Sequence, residues 1–120
     1  MRIGDLAAAT GISPRLLRYY EEQGLLAPGR SRSGYRVYTT SDVETVQRIR
    51  QLLAAGLSTT TIADVLPCIR SVGPVLAPTC AQTTARIRAE RNRLSQAIDD
   101  MSQSRALLDA VLSAGGPQDD

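Results

Sequence analysis

Leu17-Arg18-Tyr19-Tyr20-Glu21-Glu22-Gln23-Gly24-Leu25-Leu26 reads as the second half of a short amphipathic helix together with its exit. Leu17 and Tyr20, with Leu16 before them, recur at helical spacing, and Gly24 sits just past the helix end. Immediately upstream, Ser13 is a good N-cap and Pro14 a good first helical residue, so the spacing predicts a helix from Pro14 to about Glu22. Gly11 breaks an earlier helix-compatible run, Ile3 to Thr10. Two short helices joined by a tight glycine-containing turn form a helix-turn-helix. Downstream the character changes. Pro28, Gly29, Ser31, Ser33 and Gly34 are turn formers interleaved with Arg30, Arg32 and Arg36. Tyr35, Val37 and Tyr38 have strand character, with Tyr35 and Val37 on one face. The stretch predicts a small β-hairpin, a wing with a basic tip.

Beyond the wing, Ser41-Asp42-Val43-Glu44 has the pattern of a capping box and opens a third helix. Its apolar stripe is Val43, Val46, Ile49, Leu52 and Leu53, and Gly56 ends it. A fourth helix is predicted from about Ser58 to Leu66, with Ile62 and Val65 facing inward and Pro67 as the stop. Residues 67–79 hold Pro67, Gly73, Pro74 and Pro78 and read as a linker with one turn of helix. Thr79-Cys80-Ala81-Gln82 is a second capping-box pattern, and no Gly or Pro follows it until about Ser113. Ile87, Leu94, Met101 and Leu108 repeat at heptad spacing, and Ala97, Ile98, Val111 and Leu112 widen the stripe. Glu90 and Arg91 interrupt the seam near its start. So narrow a stripe on so long a helix needs another helix to cover it, and a second copy of the chain is the economical partner. The expected organisation is a winged helix-turn-helix domain over 1–66, a linker over 67–79, a dimerisation helix over 80–113 and a flexible tail over 114–120.

Composition narrows the chemistry. Hydrophobic residues make up 42%, and the 3% that is aromatic is entirely tyrosine. A core of Leu, Ile, Val and Ala suits packed helices. All 14 basic residues are arginine and the net charge is +2. The excess lies in the first 66 residues, with eight Arg against six acids; the remainder has six against six. That imbalance gives weak support to an anionic partner for the N-terminal part. The chain has no histidine, which removes the commonest general base and metal ligand, and shows no Ser or Cys with a partnering base. An enzyme is not expected. No segment approaches the apolar length of a membrane span, and Asp5 breaks any signal-peptide pattern. The expectation is a soluble, cytoplasmic protein with no membrane partner.

Ile3-Gly4-Asp5-Leu6, Gly11-Ile12-Ser13, the 17–26 stretch, Gly34-Tyr35-Arg36-Val37-Tyr38, Asp42 and Ala55-Gly56-Leu57-Ser58 together resemble the N-terminus of the MerR family of transcription regulators. Thr59-Thr60-Thr61 departs from it, where family members often carry acidic residues. The resemblance implies a mainly α protein: a winged helix-turn-helix with a small β-hairpin wing, plus a long antiparallel coiled-coil dimerisation helix. It implies that the helix beginning at Ser13 enters the major groove, with Arg15 reading a base edge, since arginine can bond guanine bidentately. Arg18, Tyr19 and Tyr20 resemble the family's phosphate-contacting cluster. Tyr35, Arg36, Arg30 and Arg32 would set the wing on the backbone or minor groove. The bland alternative makes Tyr20 and Tyr35 core residues and the arginines a solvated face. A homodimer, seamed by Ile87, Leu94, Ile98, Met101 and Leu108, would sit on a pseudo-palindromic promoter. It would distort the promoter spacer in response to an effector and so realign the promoter for RNA polymerase.

Metal-sensing relatives in that family use a cysteine at the start of the dimer helix, which Cys80 matches, and further cysteines in a loop after it, which this sequence lacks. Cys80 is expected at the first helical position, where the helix dipole favours a thiolate. The Pro/Gly-rich chain between Cys68 and Cys80 would let the two approach, as a soft-metal site or a reversible disulfide. The alternative, that both are small buried hydrophobes and no cofactor is held, stands beside it. Two other classes remain open: an architectural or excisionase-like DNA-binding protein without an effector, and a helical protein–protein adaptor. The second leaves the basic wing unexplained.

Overall fold

The computed structural model describes residues 1–115 and separates them into two compact units, meeting between Thr83 and Thr84. The first contains α1 (Ile3–Thr10), α2 (Pro14–Glu22), β1 (Gly29–Arg30), β2 (Arg36–Val37), α3 (Thr40–Ala54), α4 (Thr59–Val65), a 3-10 turn (Leu66–Cys68), β3 (Ile69–Val72) and β4 (Val75–Pro78). α5 (Ala81–Gly115) starts in the first unit and makes up the second.

Local chemistry sets these boundaries. The Arg2 amide donates to Asp5 Oδ2 at 3.0 Å, closing the start of α1, and the acidic side chain there also suits the helix dipole. Gly11 follows α1 with φ +73°, and its amide donates to the Ala7 carbonyl at 2.8 Å. A left-handed turn of this kind favours glycine. Ser13 Oγ accepts from the Leu16 amide and caps α2, as expected from the sequence. α3 begins two residues earlier than the sequence suggests. Its cap is Thr39, whose amide donates to Asp42 Oδ2 at 2.7 Å, so Asp42 closes the box from its third position rather than opening one from Ser41. Ser58 Oγ accepts from the Thr61 amide and caps α4.

The core lies where α1 meets α2 and α3, and α3 meets α4. Leu6, Leu17, Val46, Ile49 and Ile62 are fully buried. The two large core side chains are Tyr20 and Tyr38, each 2% exposed, which fill the volume that Phe would occupy in most domains. The buried Thr10 hydroxyl is satisfied by donating to the Leu6 carbonyl, and Arg50 reaches the Thr10 carbonyl at 3.2 Å, tying α3 to the first turn.

The 67–79 stretch differs from expectation. It is an antiparallel hairpin, with Ile69 opposite Pro78 and Val72 opposite Val75. Its prolines and glycine are compatible with pairing because Gly73 (φ +60°) and Pro74 occupy the loop while Pro78 stands at a strand end. The Thr79 amide donates to the Cys68 carbonyl at 2.7 Å and shuts the base of the hairpin. α5 starts at Ala81, so Cys80 precedes its first residue rather than being it. The helix continues through Ala114 and Gly115, two residues into the expected tail; the rest of that tail lies outside the described residues.

Replacing Ile49 by Ala should lower unfolding free energy by about 2–5 kcal/mol in a urea titration, through lost burial and the cavity left behind. Leu16→Ala, on the exposed side of α2, should change it by no more than about 0.5 kcal/mol.

Candidate nucleic-acid interface

The helical period sorts the side chains of α2. Leu17 and Tyr20 turn inward, whereas Arg15, Leu16, Arg18, Tyr19 and Glu22 are exposed. Tyr20, expected among the phosphate contacts, is therefore a core residue. Its hydroxyl is held above its ordinary pKa by burial, with Arg50 opposing the shift. Ser13 uses its Oγ as the helix cap.

The wing pairs Gly29 with Val37 and Arg30 with Arg36. Its turn is closed by Ser31, which donates to the Tyr35 carbonyl at 2.8 Å and accepts the Gly34 amide at 3.0 Å; Gly34 takes φ +84°. Two arginines thus face each other across the ladder, an arrangement that like charges oppose. Glu21, at the end of α2, offsets it. Its carboxylate pairs ionically with Arg36, Nε to Oε2 3.0 Å, and accepts from the Tyr38 hydroxyl. The Glu21 side chain is 11% exposed and that of Arg36 46%. Burial first, and then the Glu21 carboxylate, pushes the Tyr38 hydroxyl up to about 12.

Arg18 of α2 meets Arg30, Tyr35 and Arg36 of the wing around one cleft of about 300 Å³. Arg2 completes it, with its guanidinium carbon 4.1 Å from the centre of the Tyr35 ring, a cation–π contact. Sequence reasoning missed Arg2. It precedes the first helix by one residue, and only the fold brings it against a ring 33 positions on. Glu21 was missed as well: a second acid in Glu21-Glu22 looks like surface charge until the wing folds onto it. Arg15 and Arg32 are exposed but do not line this cleft. A concave group of guanidinium ions, flanked by an exposed tyrosine, is suited to hold phosphate oxygens, because arginine presents a planar fork of donors.

The hairpin base holds a second feature. Cys68 and Cys80 are half-buried thiols. Cys80 Sγ lies 3.2 Å from the Thr83 hydroxyl oxygen. Hydrogen bonding from Cys68 first, and then from Thr83, brings the Cys80 thiol down to about 7. Among the described residues no three His, Cys, Asp or Glu side chains cluster as a metal site. The pair therefore offers two soft sulfur donors and fits a thiophilic ion only on those terms. Of the dimer-seam residues, Ile87 is half-buried, whereas Leu94, Ile98, Met101 and Leu108 are exposed. No helix among the described residues is long and apolar enough to cross a membrane.

Residues 1–68 match the sequence profile described as MerR HTH family regulatory protein. The HTH-type transcriptional regulator HmrR of Sinorhizobium medicae (strain WSM419) is 34% identical over 105 residues, covering 87% of this chain and 71% of that protein. The HTH-type transcriptional regulator CueR of Yersinia pestis is 30% identical over 112 residues, covering 92% and 78%. The crystal structure of the transcription regulator PbrR691 from Ralstonia metallidurans CH34, in complex with lead(II), superposes with a TM-score of 0.68 at 25% identity and covers 100% of this chain and 88% of that one. These proteins are transcription regulators, not enzymes.

Alkylation of Cys80 by iodoacetamide, followed by peptide mass spectrometry, should accelerate through a midpoint near pH 7. In Cys68→Ala the midpoint should move upward, since the hydrogen bond from Cys68 that favours the thiolate is gone; an unmoved midpoint would count against the pairing of the two sulfurs.

Proposed function

The chain belongs to the MerR helix-turn-helix family of DNA-binding transcription regulators, and from that premise we propose that it acts as a homodimer on a pseudo-palindromic bacterial promoter. The observation that carries the proposal is the arginine cleft shared by α2 and the wing, with Arg15 exposed on the first turn of the same helix. In this reading α2 lies in the major groove and Arg15 reads a base edge. Arg18, Tyr19, Arg30, Arg32, Tyr35 and Arg36 hold phosphates or line the minor groove, and Arg2 joins them. DNA reading then belongs to residues 1–66 and dimerisation to 80–113, with the 69–78 hairpin between.

The seam on α5 supports the dimer. Ile98 is 64% exposed and Met101 75% exposed in the single chain. Apolar groups repeating at heptad spacing and left this open are the ordinary mark of a helix covered by another helix, here antiparallel. A dimer engaging two half-sites can bend and untwist the DNA between them, and the energy of that deformation is the lever by which an effector would realign promoter elements for RNA polymerase. HmrR and CueR are regulators by name, and PbrR691 was crystallised with lead(II). By that analogy the effector here is a soft metal ion held by Cys68 and Cys80, with the Cys80 thiolate already available near neutral pH. Bound there, the ion would supply a crosslink between the hairpin base and the start of α5. Promoter DNA places the protein in the cytoplasm, on the nucleoid.

Footprinting on the DNA upstream of its own gene, with and without silver(I), tests the reading. Arg18→Ala and Arg36→Ala should weaken binding across sequences and lower the salt slope by about one each, whereas Arg15→Ala should relax preference at one base pair at a cost of roughly 1–3 kcal/mol. An unaltered silver(I) response in Cys68→Ser and Cys80→Ser would remove the thiol arm of the proposal. Light scattering should give twice the chain mass, and Ile98→Glu should give the monomer; a wild-type monomer would overturn the dimer.

A further inference from the structure

Glu21 stands among residues that the proposed interface uses, yet it carries the wrong charge for DNA. The Glu21–Arg36 pair is nevertheless unusual in its geometry. The nearest nitrogen of Arg36 to the carboxylate is Nε, at 3.0 Å. A guanidinium has five N–H donors, of which Nε supplies one and the two terminal nitrogens the other four. With Nε nearest the carboxylate, the guanidinium has donors left over for a second anion, on a side chain that stays 46% exposed and lines the arginine cleft. The carboxylate itself is anchored on the opposite side by the Tyr38 hydroxyl, which belongs to a ring 2% exposed in the core. Glu21 is thus fixed from below and pairs with the exposed cation from the side, while Arg30 pushes against that cation across the ladder.

We infer that Glu21 is a positioning residue for DNA binding: it fixes the Arg36 guanidinium so that its terminal nitrogens meet a backbone phosphate in a set register with α2. The inference rests on the reading that Arg36 touches phosphate. Arginine loses rotamer freedom when it binds, and a side chain already held loses less. Lysine cannot substitute, because a single ammonium lacks the second set of donors that lets one group serve the carboxylate and the phosphate at fixed geometry. The opposing effect is repulsion between the carboxylate and the phosphate, and its dominance would make removal of the charge tighten binding.

Affinity for a mixed-sequence double-stranded DNA fragment, measured by fluorescence anisotropy from about 50 to 200 mM salt, separates these cases. One phosphate contact contributes about 0.9 to the slope of log affinity against log salt, or between three- and four-fold in affinity over that range. Arg36→Ala should lose this amount. Glu21→Gln should lose nearly as much, and Glu21→Gln/Arg36→Ala no more than Arg36→Ala alone. Tyr38→Phe keeps the ion pair but removes the anchor of the carboxylate, and should lose part of the same contact, with its melting temperature reporting the cost to folding separately. Arg36→Lys keeps the charge and the fold, and should still lose the contact; it reads the same question if Glu21→Gln does not fold. Tighter binding by Glu21→Gln, an additive loss in the double variant, or a wild-type slope in Arg36→Lys would overturn the inference. A wild-type slope in Arg36→Ala would instead overturn the underlying reading of Arg36.

Discussion

The carboxylate of Glu21 is the joint on which the DNA-reading half depends. The wing has a ladder of only two residue pairs, Gly29 with Val37 and Arg30 with Arg36. A two-stranded hairpin of that size has no core of its own and is marginal in water. It must be held by something else, and the strand adjoining its second arm supplies the means. Tyr38 drops into the core and sends its hydroxyl to Glu21, and Arg36 reaches the same carboxylate. One acid at the end of α2 therefore docks the wing against the helix beside it. It also offsets the repulsion that would spread Arg30 and Arg36. This anion sits behind the cationic cleft, alongside the paired backbone bonds between Met1 and Tyr38 that also hold the end of the wing.

The tyrosines show how composition constrained the design. With no Phe or Trp in the chain, its four tyrosines must serve both the core and the surface. Tyr20 and Tyr38 are buried, while Tyr19 and Tyr35 are exposed. Their division follows helical phase and strand position, not residue type. Leu17 and Tyr20 share one side of α2, and Tyr19 necessarily faces away. The sequence left Tyr20 open between two roles, because a ring at the boundary of an apolar stripe can do either. Its burial in the core, at 2% exposed, resolved it.

Elements carried by period and capping chemistry were legible without coordinates. α1, α2 and α4 fall where Gly11, Ser13 and Ser58 put them, and α5 occupies the long stretch after Cys80 that the spacing marked as one helix. What escaped was long-range or depended on turn placement. Arg2 against Tyr35 and Arg36 against Glu21 join residues distant in sequence, and no local rule links them. The 69–78 hairpin was hidden because proline and glycine read as breakers, and their meaning reverses when they fall in the loop and at a strand end. The cap of α3 slipped because Thr39 and Ser41 offer the same hydroxyl two residues apart, and only the bond to Asp42 distinguishes them.

That hairpin also governs the thiols. Cys68 and Cys80 are separated by a loop of chain whose closure would ordinarily carry an entropic penalty. The β3–β4 ladder and the bond from the Thr79 amide to the Cys68 carbonyl have met that penalty before any sulfur chemistry begins. Linkage makes the relation mutual. Whatever free energy the ladder lends to a ligand or bond joining the two sulfurs, the joined sulfurs return to the ladder, so a hairpin that opens readily and one that is clamped shut differ by the affinity of what bridges its mouth.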